Sequence, residues 1–169
     1  MIILGIDPGT ATTGYGVLEN CGGNLRMVEN GCVLTCKDME MPERLNLLGG
    51  EIRRLIKKFH PDVMAIEELF FFKNKKTVIS VGQARGVVVF VGENEGIEIH
   101  EYTPLQVKQA VTGYGRADKK QVQSMVKNIL KLKEIPKPDD AADALAVAIC
   151  CASSINFERR IQNNHNSKI

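Results

Sequence analysis

Tryptophan is absent from this chain, and aromatic residues make up only 5% of its 169 positions. Where aromatics do cluster, they carry information. The cysteines (Cys21, Cys32, Cys36, Cys150 and Cys151) are odd in number, form no CxxC pair and show no zinc-site spacing. That excludes a disulfide scaffold or a zinc finger as the basis of the fold. Cys150 and Cys151 stand in an alanine-rich apolar stretch, where a free thiol serves as a small core residue. No apolar run reaches membrane-spanning length, and the strand-like start lacks the charged region and cleavage site of a leader. A reduced, cytoplasmic protein with no membrane partner is expected. A strong charge imbalance is missing too: the formal net charge is +2, which neither demands nor excludes nucleic acid.

What is present suits a globular chain, with 44% hydrophobic and 25% charged residues in a length that supports one domain with its own core. The opening IILGID is apolar at odd and even positions alike, as a central strand covered on both faces requires. After the turn residues PGTATTG come two further strands, YGVLEN and LRMVENGCVLT, with CGGN as the hairpin turn between them. Their short connections predict an antiparallel meander. From Pro42 the period becomes helical, with Leu45, Leu48, Ile52, Leu55, Ile56 and Phe59 on one face. Pro61 ends that helix, and DVMAIEE reads as a buried strand reached by a parallel crossover. Residues 77–94 read as a helix and IEIHEY as a fifth strand. Two more helices are opened by Thr103–Pro104 and by Asp118, and DDAADALAVAICCASS forms the last. The expected fold is α/β and ribonuclease H-like: a mixed five-stranded sheet, three antiparallel strands then parallel crossovers, with helices on both faces. One domain is expected over residues 1–155, with a polar, flexible tail over 156–169.

Asp7 is the first ionisable residue after the opening strand, and Glu67 holds the matching place on the fourth. In open sheets, ligand sites lie beyond the carboxyl ends of strands. Neighbouring parallel strands one and four would therefore release these two acids side by side. Asp140 and Asp143, three apart, share a face at the start of the last helix. Each acid has a plainer role available. Asp7 could close an Asx turn before Pro-Gly, Glu67 could be a solvated strand end, and Asp139 or Asp140 could cap a helix. Together, acids from three elements at one rim point to a site. Such carboxylates repel and take up protons unless cations intervene. The donors are all hard oxygens, which selects Mg²⁺, with Mn²⁺ as a substitute, over zinc. Two ions about 3.5–4 Å apart would serve both the attacking and the leaving oxygen of an in-line phosphoryl displacement.

The stretch IEELFFFKNKKT, residues 66–77, gathers acid, aromatic and base. In a nuclease Glu67 would hold metal, a phenylalanine would stack on or wedge between bases, and Lys73, Lys75 and Lys76 would meet phosphates. A second basic cluster, Arg116, Lys119 and Lys120, follows the break GYGRA. The plain reading of both clusters is a solvated face, with Phe70 to Phe72 as core. Alternation cannot hide three consecutive side chains, so at least one phenylalanine is expected outside. Gly82 and Gly86 lie four apart on one helical face and allow another backbone to approach, within the fold or across a subunit contact.

The series ILGIDPGTATTGYGV, AIEELFFFKN, VGQARGV, TPLQVKQAVTGYGRADKKQVQSMV and DDAADALAVAI runs in order over about residues 1 to 152. It closely resembles the RuvC family of bacterial Holliday junction resolvases. The resemblance implies a homodimeric, Mg²⁺-dependent endonuclease acting in homologous recombination and DNA repair. Such enzymes bind four-way junction DNA and nick two strands of like polarity symmetrically, leaving 5′-phosphate and 3′-hydroxyl ends. It further implies catalytic acids at Asp7, Glu67, Asp140 and Asp143, a junction-contacting aromatic at Phe70, and functional lysines at Lys108 and Lys119. The helix carrying VGQARGV resembles the family's dimerisation helix, which would place Gly82 and Gly86 at a subunit contact. A link to the RuvA–RuvB branch-migration complex is implied as well. Rival readings are weaker. DPGT is also similar to the phosphate loop of actin-like ATPases, but those need a second similar domain and an adenosine pocket. A ribonuclease of the same fold is possible on the acids alone. A non-catalytic DNA-binding module is disfavoured, since unmetallated carboxylates repel phosphate.

Overall fold

The computed structural model describes the backbone of residues 1–68 and 75–166 and the side chains of residues 1–68 and 78–155. Strands β1 (Ile2–Asp7), β2 (Thr12–Cys21), β3 (Asn24–Leu34), β4 (Val63–Glu67) and β5 (Glu98–Tyr102) form one sheet in the order β3-β2-β1-β4-β5. The first three pair antiparallel. Gly22 and Gly23 take positive φ in the hairpin between β2 and β3, where side chains would be strained. Helices α1 (Met41–Phe59) and α2 (Lys75–Asn94) carry the chain across to β4 and then β5, both in parallel pairing.

The β1–β4 register positions the site. Ile3 pairs with Val63 and Ile6 with Ile66, so Asp7 and Glu67 are the next residues out at one rim. At the opposite end the ladder is clamped by a reciprocal pair. The Ile2 N–H donates to Asp62 Oδ2 at 2.6 Å, and the Asp62 N–H donates to the Ile2 carbonyl at 2.9 Å.

Successive β1 side chains point to opposite faces, and each face has its own core. Leu4 and Ile6 join Met64, Ile66, Ile52 and Val88 under α1 and α2. Ile3 joins Ala65, Val122, Leu145 and Ile149 on the other face, under α3 (Pro104–Thr112), α4 (Lys119–Ile129) and α5 (Asp139–Asn166). Each fully buried leucine or isoleucine contributes about 1.5–3 kcal/mol.

α5 lies against the sheet at backbone distance. A Cβ at Gly5 would overlap the Ala144 carbonyl oxygen, and one at Gly14 the Asp140 carbonyl oxygen. Ala141, Ala142, Ala144 and Ala148 are fully buried at this contact; alanine supplies both helix propensity and a flat surface. Helix starts are encoded locally by capping boxes at Glu40–Glu43, Thr103–Gln106 and Asp118–Gln121. α5 keeps its helical backbone through Asn166, past Asn156 where the polar composition predicted a tail.

Candidate active site

Four elements converge on the rim where β1 and β4 end. Asp7 and Glu67 leave the sheet there. The seat of α5 on Gly14 and Gly16 brings the first turns of that helix, with Asp140 and Asp143, down onto β1. From α4, Lys119 reaches across with its Nζ 2.9 Å from Asp143 Oδ2 and 3.5 Å from Asp139 Oδ2. A cleft of about 180 Å³ opens between them. Glu67, Lys108, Lys119 and Asp143 wall it, over the apolar Val107, Val122 and Ala146.

The acids feel one another. Burial, then the charges of Glu67, Asp143 and Asp140, holds the Asp7 carboxyl well above the usual carboxylate range. Burial, then Asp143, pushes Glu67 from 4.5 up to about 7, against the pull of Lys108 and Lys119. Asp143 is also raised, by burial first, although Lys119 works against the shift. Burial draws Lys119 down, but Asp143 and Asp139 together hold its ammonium above the ordinary lysine value. The site therefore carries more negative charge than its cations offset, on oxygen donors alone. That donor set fits a hard divalent cation. Among the described residues no three acidic, histidine or cysteine side chains are drawn to ligating distance of one point. The raised proton affinities come from burial first and from the neighbouring acids second.

Of the residues singled out in the sequence, Asp7, Glu67, Asp140, Asp143, Lys108 and Lys119 come together here. The structure separates the two neighbouring aspartates. Asp140 is the one whose charge acts on Asp7, while the Asp139 side chain is 63% exposed and pairs with Lys119. Arg116 and Lys120 are exposed and stand outside the cleft. Phe70 and Lys73 lie outside the described residues, as do the side chains of Lys75 and Lys76 at the start of α2. On α2, Gly86 is exposed with open space where a Cβ would sit, and Gly82 is partly buried. Ile79 lies two turns before Gly86 and Phe90 one turn after it, on the same side of the helix. These two side chains are 73% and 66% exposed. Sequence reasoning missed the Lys119–Asp139–Asp143 bridge, which joins two helices and has no local signature.

The model of the family described as crossover junction endodeoxyribonuclease RuvC matches residues 3–151. The chain belongs to the RuvC family. RuvC of Desulfitobacterium hafniense is 57% identical over 161 residues, covering 95% of this chain and 98% of the relative. RuvC of Pelotomaculum thermopropionicum is 54% identical, covering 96% and 99%. Among solved structures, Thermus thermophilus RuvC in complex with a Holliday junction substrate is 35% identical with a TM-score of 0.88, covering 94% of this chain and 96% of that one. The yeast mitochondrial resolvase Ydc2, at 14% identity and a TM-score of 0.68, shares the fold alone. The mixed five-stranded α/β architecture expected from the element order is thus the architecture of this RuvC chain.

Proposed function

We infer that this chain is a crossover junction endodeoxyribonuclease: it resolves four-way DNA junctions by paired, symmetric phosphodiester hydrolysis in recombination and repair. The observation that carries the reading is the mutual charge coupling of Asp7, Glu67 and Asp143, brought by β1, β4 and α5 to one rim. Phosphate is repelled by such a cluster unless metal is bound, so metal-assisted chemistry on phosphate is the purpose these acids fit.

Asp7, Glu67, Asp140 and Asp143 are the residues that would hold the metal, which we take to be Mg²⁺, two ions per site, with Mn²⁺ able to substitute. When bound, such ions supply Lewis-acid activation of water and stabilise the departing 3′ oxygen. The protein's own part is positioning. Lys119 exchanges its hold on Asp143 for the scissile phosphate and offsets charge that develops there. Lys108, on the cleft wall beside Glu67, holds the same phosphate from the α3 side. The apolar Val107, Val122 and Ala146 beneath these charges lower the local dielectric and strengthen their interactions. Phe70, with Lys73, Lys75 and Lys76 on phosphates, meets the junction at the end of β4, and Arg116 and Lys120 extend the basic surface.

One site cuts one strand, so two coordinated cuts call for a two-fold dimer. The exposed apolar side of α2, with Ile79, Gly86 and Phe90, is the surface we assign to it, with Gly82 at its edge. We place the protein in the cytoplasm, as a partner of the RuvA–RuvB complex, in a single domain over residues 1–155 with 156–169 as an appendage. No helix among the described residues is long and apolar enough to cross a membrane.

The deciding experiment incubates the protein with a labelled four-way junction and Mg²⁺, with Ca²⁺ as a binding-only control and an RNA–DNA hybrid as competitor substrate. Two symmetric nicks in the junction are expected. Asp7→Asn or Asp143→Asn lowers cleavage by at least about 10²-fold while Ca²⁺-supported junction binding survives. Preferential cutting of the hybrid, or full cleavage by either variant, would overturn the assignment.

A further inference from the structure

Tyr114 stands outside everything assigned so far. It is 57% exposed on the link between α3 and α4, residues 113–118. Single exposed rings are common on protein surfaces, but the backbone that carries this one is tied down. The Thr112 hydroxyl accepts the Tyr114 N–H at 3.1 Å and lies 2.8 and 2.9 Å from the Lys108 and Tyr114 carbonyl oxygens. Gln109 Nε2 donates to the Gly113 carbonyl at 2.8 Å, and Gly113 takes the left-handed φ of 73° that closes α3. The Ala117 N–H donates to the Tyr114 carbonyl at 3.1 Å, and Ala117 itself is buried. Gly115 packs so closely on Leu105 that a Cβ there would push into it. The backbone is therefore tied on both sides of a solvent-facing ring, a pre-organised arrangement that lowers the entropy lost on binding.

Charge and continuity say what the ring faces. Arg116, two residues on, and Lys120, which lines the same concavity as Tyr114, are both exposed, and neither forms an ion pair among the described residues. Lys119 turns instead into the acid cleft, 2.9 Å from Asp143. Beside the ring is a concavity of about 440 Å³ lined by Thr112, Tyr114, Asp118, Lys120, Ser124 and Met125. One short segment thus offers a cation to the reacting phosphate and an aromatic with two cations to whatever adjoins it. A second copy of the chain is a poor occupant, because the exposed apolar side of α2 belongs to the opposite face of the sheet. A polyanion with flat apolar faces fits both the ring and the charges.

We propose that Tyr114 stacks on a base of the DNA strand flanking the scissile phosphate, with Arg116 and Lys120 on neighbouring phosphates. The inference rests on the nuclease reading above and deepens it, adding an aromatic contact separate from the 66–77 stretch. The test measures affinity for a labelled four-way junction in Ca²⁺ by fluorescence anisotropy. Tyr114→Ala weakens binding about tenfold, the size of one lost stacking contact. Tyr114→Phe keeps the ring and binds as wild type does. A 2-aminopurine placed beside the cut site brightens in the Ala complex and stays quenched in the Phe complex. Arg116→Ala lowers the slope of log affinity against log salt by about one. Because the ring is exposed, Tyr114→Ala melts within a degree or two of wild type, which separates a lost contact from misfolding. Equal binding by wild type and Tyr114→Ala, or a Phe variant as weak as the Ala one, sinks the proposal. If that happens while wild type still cuts the junction, the nuclease reading stands; an uncut junction removes both.

Discussion

The two faces of the sheet are packed by different rules. Under α5 the contact is backbone against backbone: Gly5 and Gly14 leave no space for a methyl group, and alanines fill the helix side. Under α1 and α2 the contact is made by ordinary large side chains such as Leu4, Met64, Ile52 and Val88. The first kind fixes a distance; the second fills a volume and tolerates exchange. The acids depend on the fixed distance, because Asp140 and Asp143 are delivered by the helix that the glycines seat. The looser face leaves one side of α2 bare.

That contrast can be broken most forcefully at Gly14. Gly14→Ala forces a methyl group into the Asp140 carbonyl, and destabilisation of about 3 kcal/mol is expected by denaturant unfolding, together with loss of cleavage. A fully stable, active Gly14→Ala protein would mean the face is not rigid. On the other side, Phe90→Asp should leave the fold intact but weaken self-association about a hundredfold, read by analytical ultracentrifugation. Unchanged association would move the dimer contact away from α2.

The pH dependence sharpens the comparison electrostatically. Glu67 titrates near 7 when folded, above the 4.5 of an unperturbed glutamate. The folded state therefore binds the proton more tightly than the unfolded one, and stability of the metal-free protein falls as pH rises from about 4.5 to about 7. Asp7 and Asp143, raised in the same direction, add to that slope. Glu67→Gln should stabilise the metal-free protein at pH 8 by about 1–2 kcal/mol and flatten the profile. A variant with the wild-type profile would show that Glu67 does not sense the cluster. The smallest effect is expected at Gly86. Gly86→Ala has open space around its Cβ, so it should raise monomer stability by about 0.5–1 kcal/mol through helix propensity, measured by denaturant unfolding.

Much of this was readable in the chain, and the failures have physical reasons. Strand ends betrayed Asp7 and Glu67, because a run with no polar position must be central and its first acid must lie at a rim. The helix over 77–94, ambiguous by its β-branched content, was decided by length and the lack of a turn. The choice of Asp140 over Asp139 came from the family resemblance and not from periodicity, since adjacent residues in a first turn differ only by a rotation that the Gly14 contact sets. The Lys119 bridge and the tethered backbone beneath Tyr114 were hidden for a similar reason. Both depend on how α3, α4 and α5 meet, which no local pattern records.

The apolar run of β4 from Val63 to Ile66 is buried on both sides, and this has an unobvious effect. Sliding that strand by one position would keep it apolar on both sides, but it would turn Met64 and Ile66 toward the α5 face that Val63 and Ala65 now occupy. The slip would also carry Glu67 about 3.3 Å along and flip it to the wrong side. The close-packed α5 face resists that slip from within, and the Asp62–Ile2 clamp adds a hydrogen-bonded stop at the far end. An acid remote from the chemistry acts as a vernier stop that helps set the ionic cradle's focus.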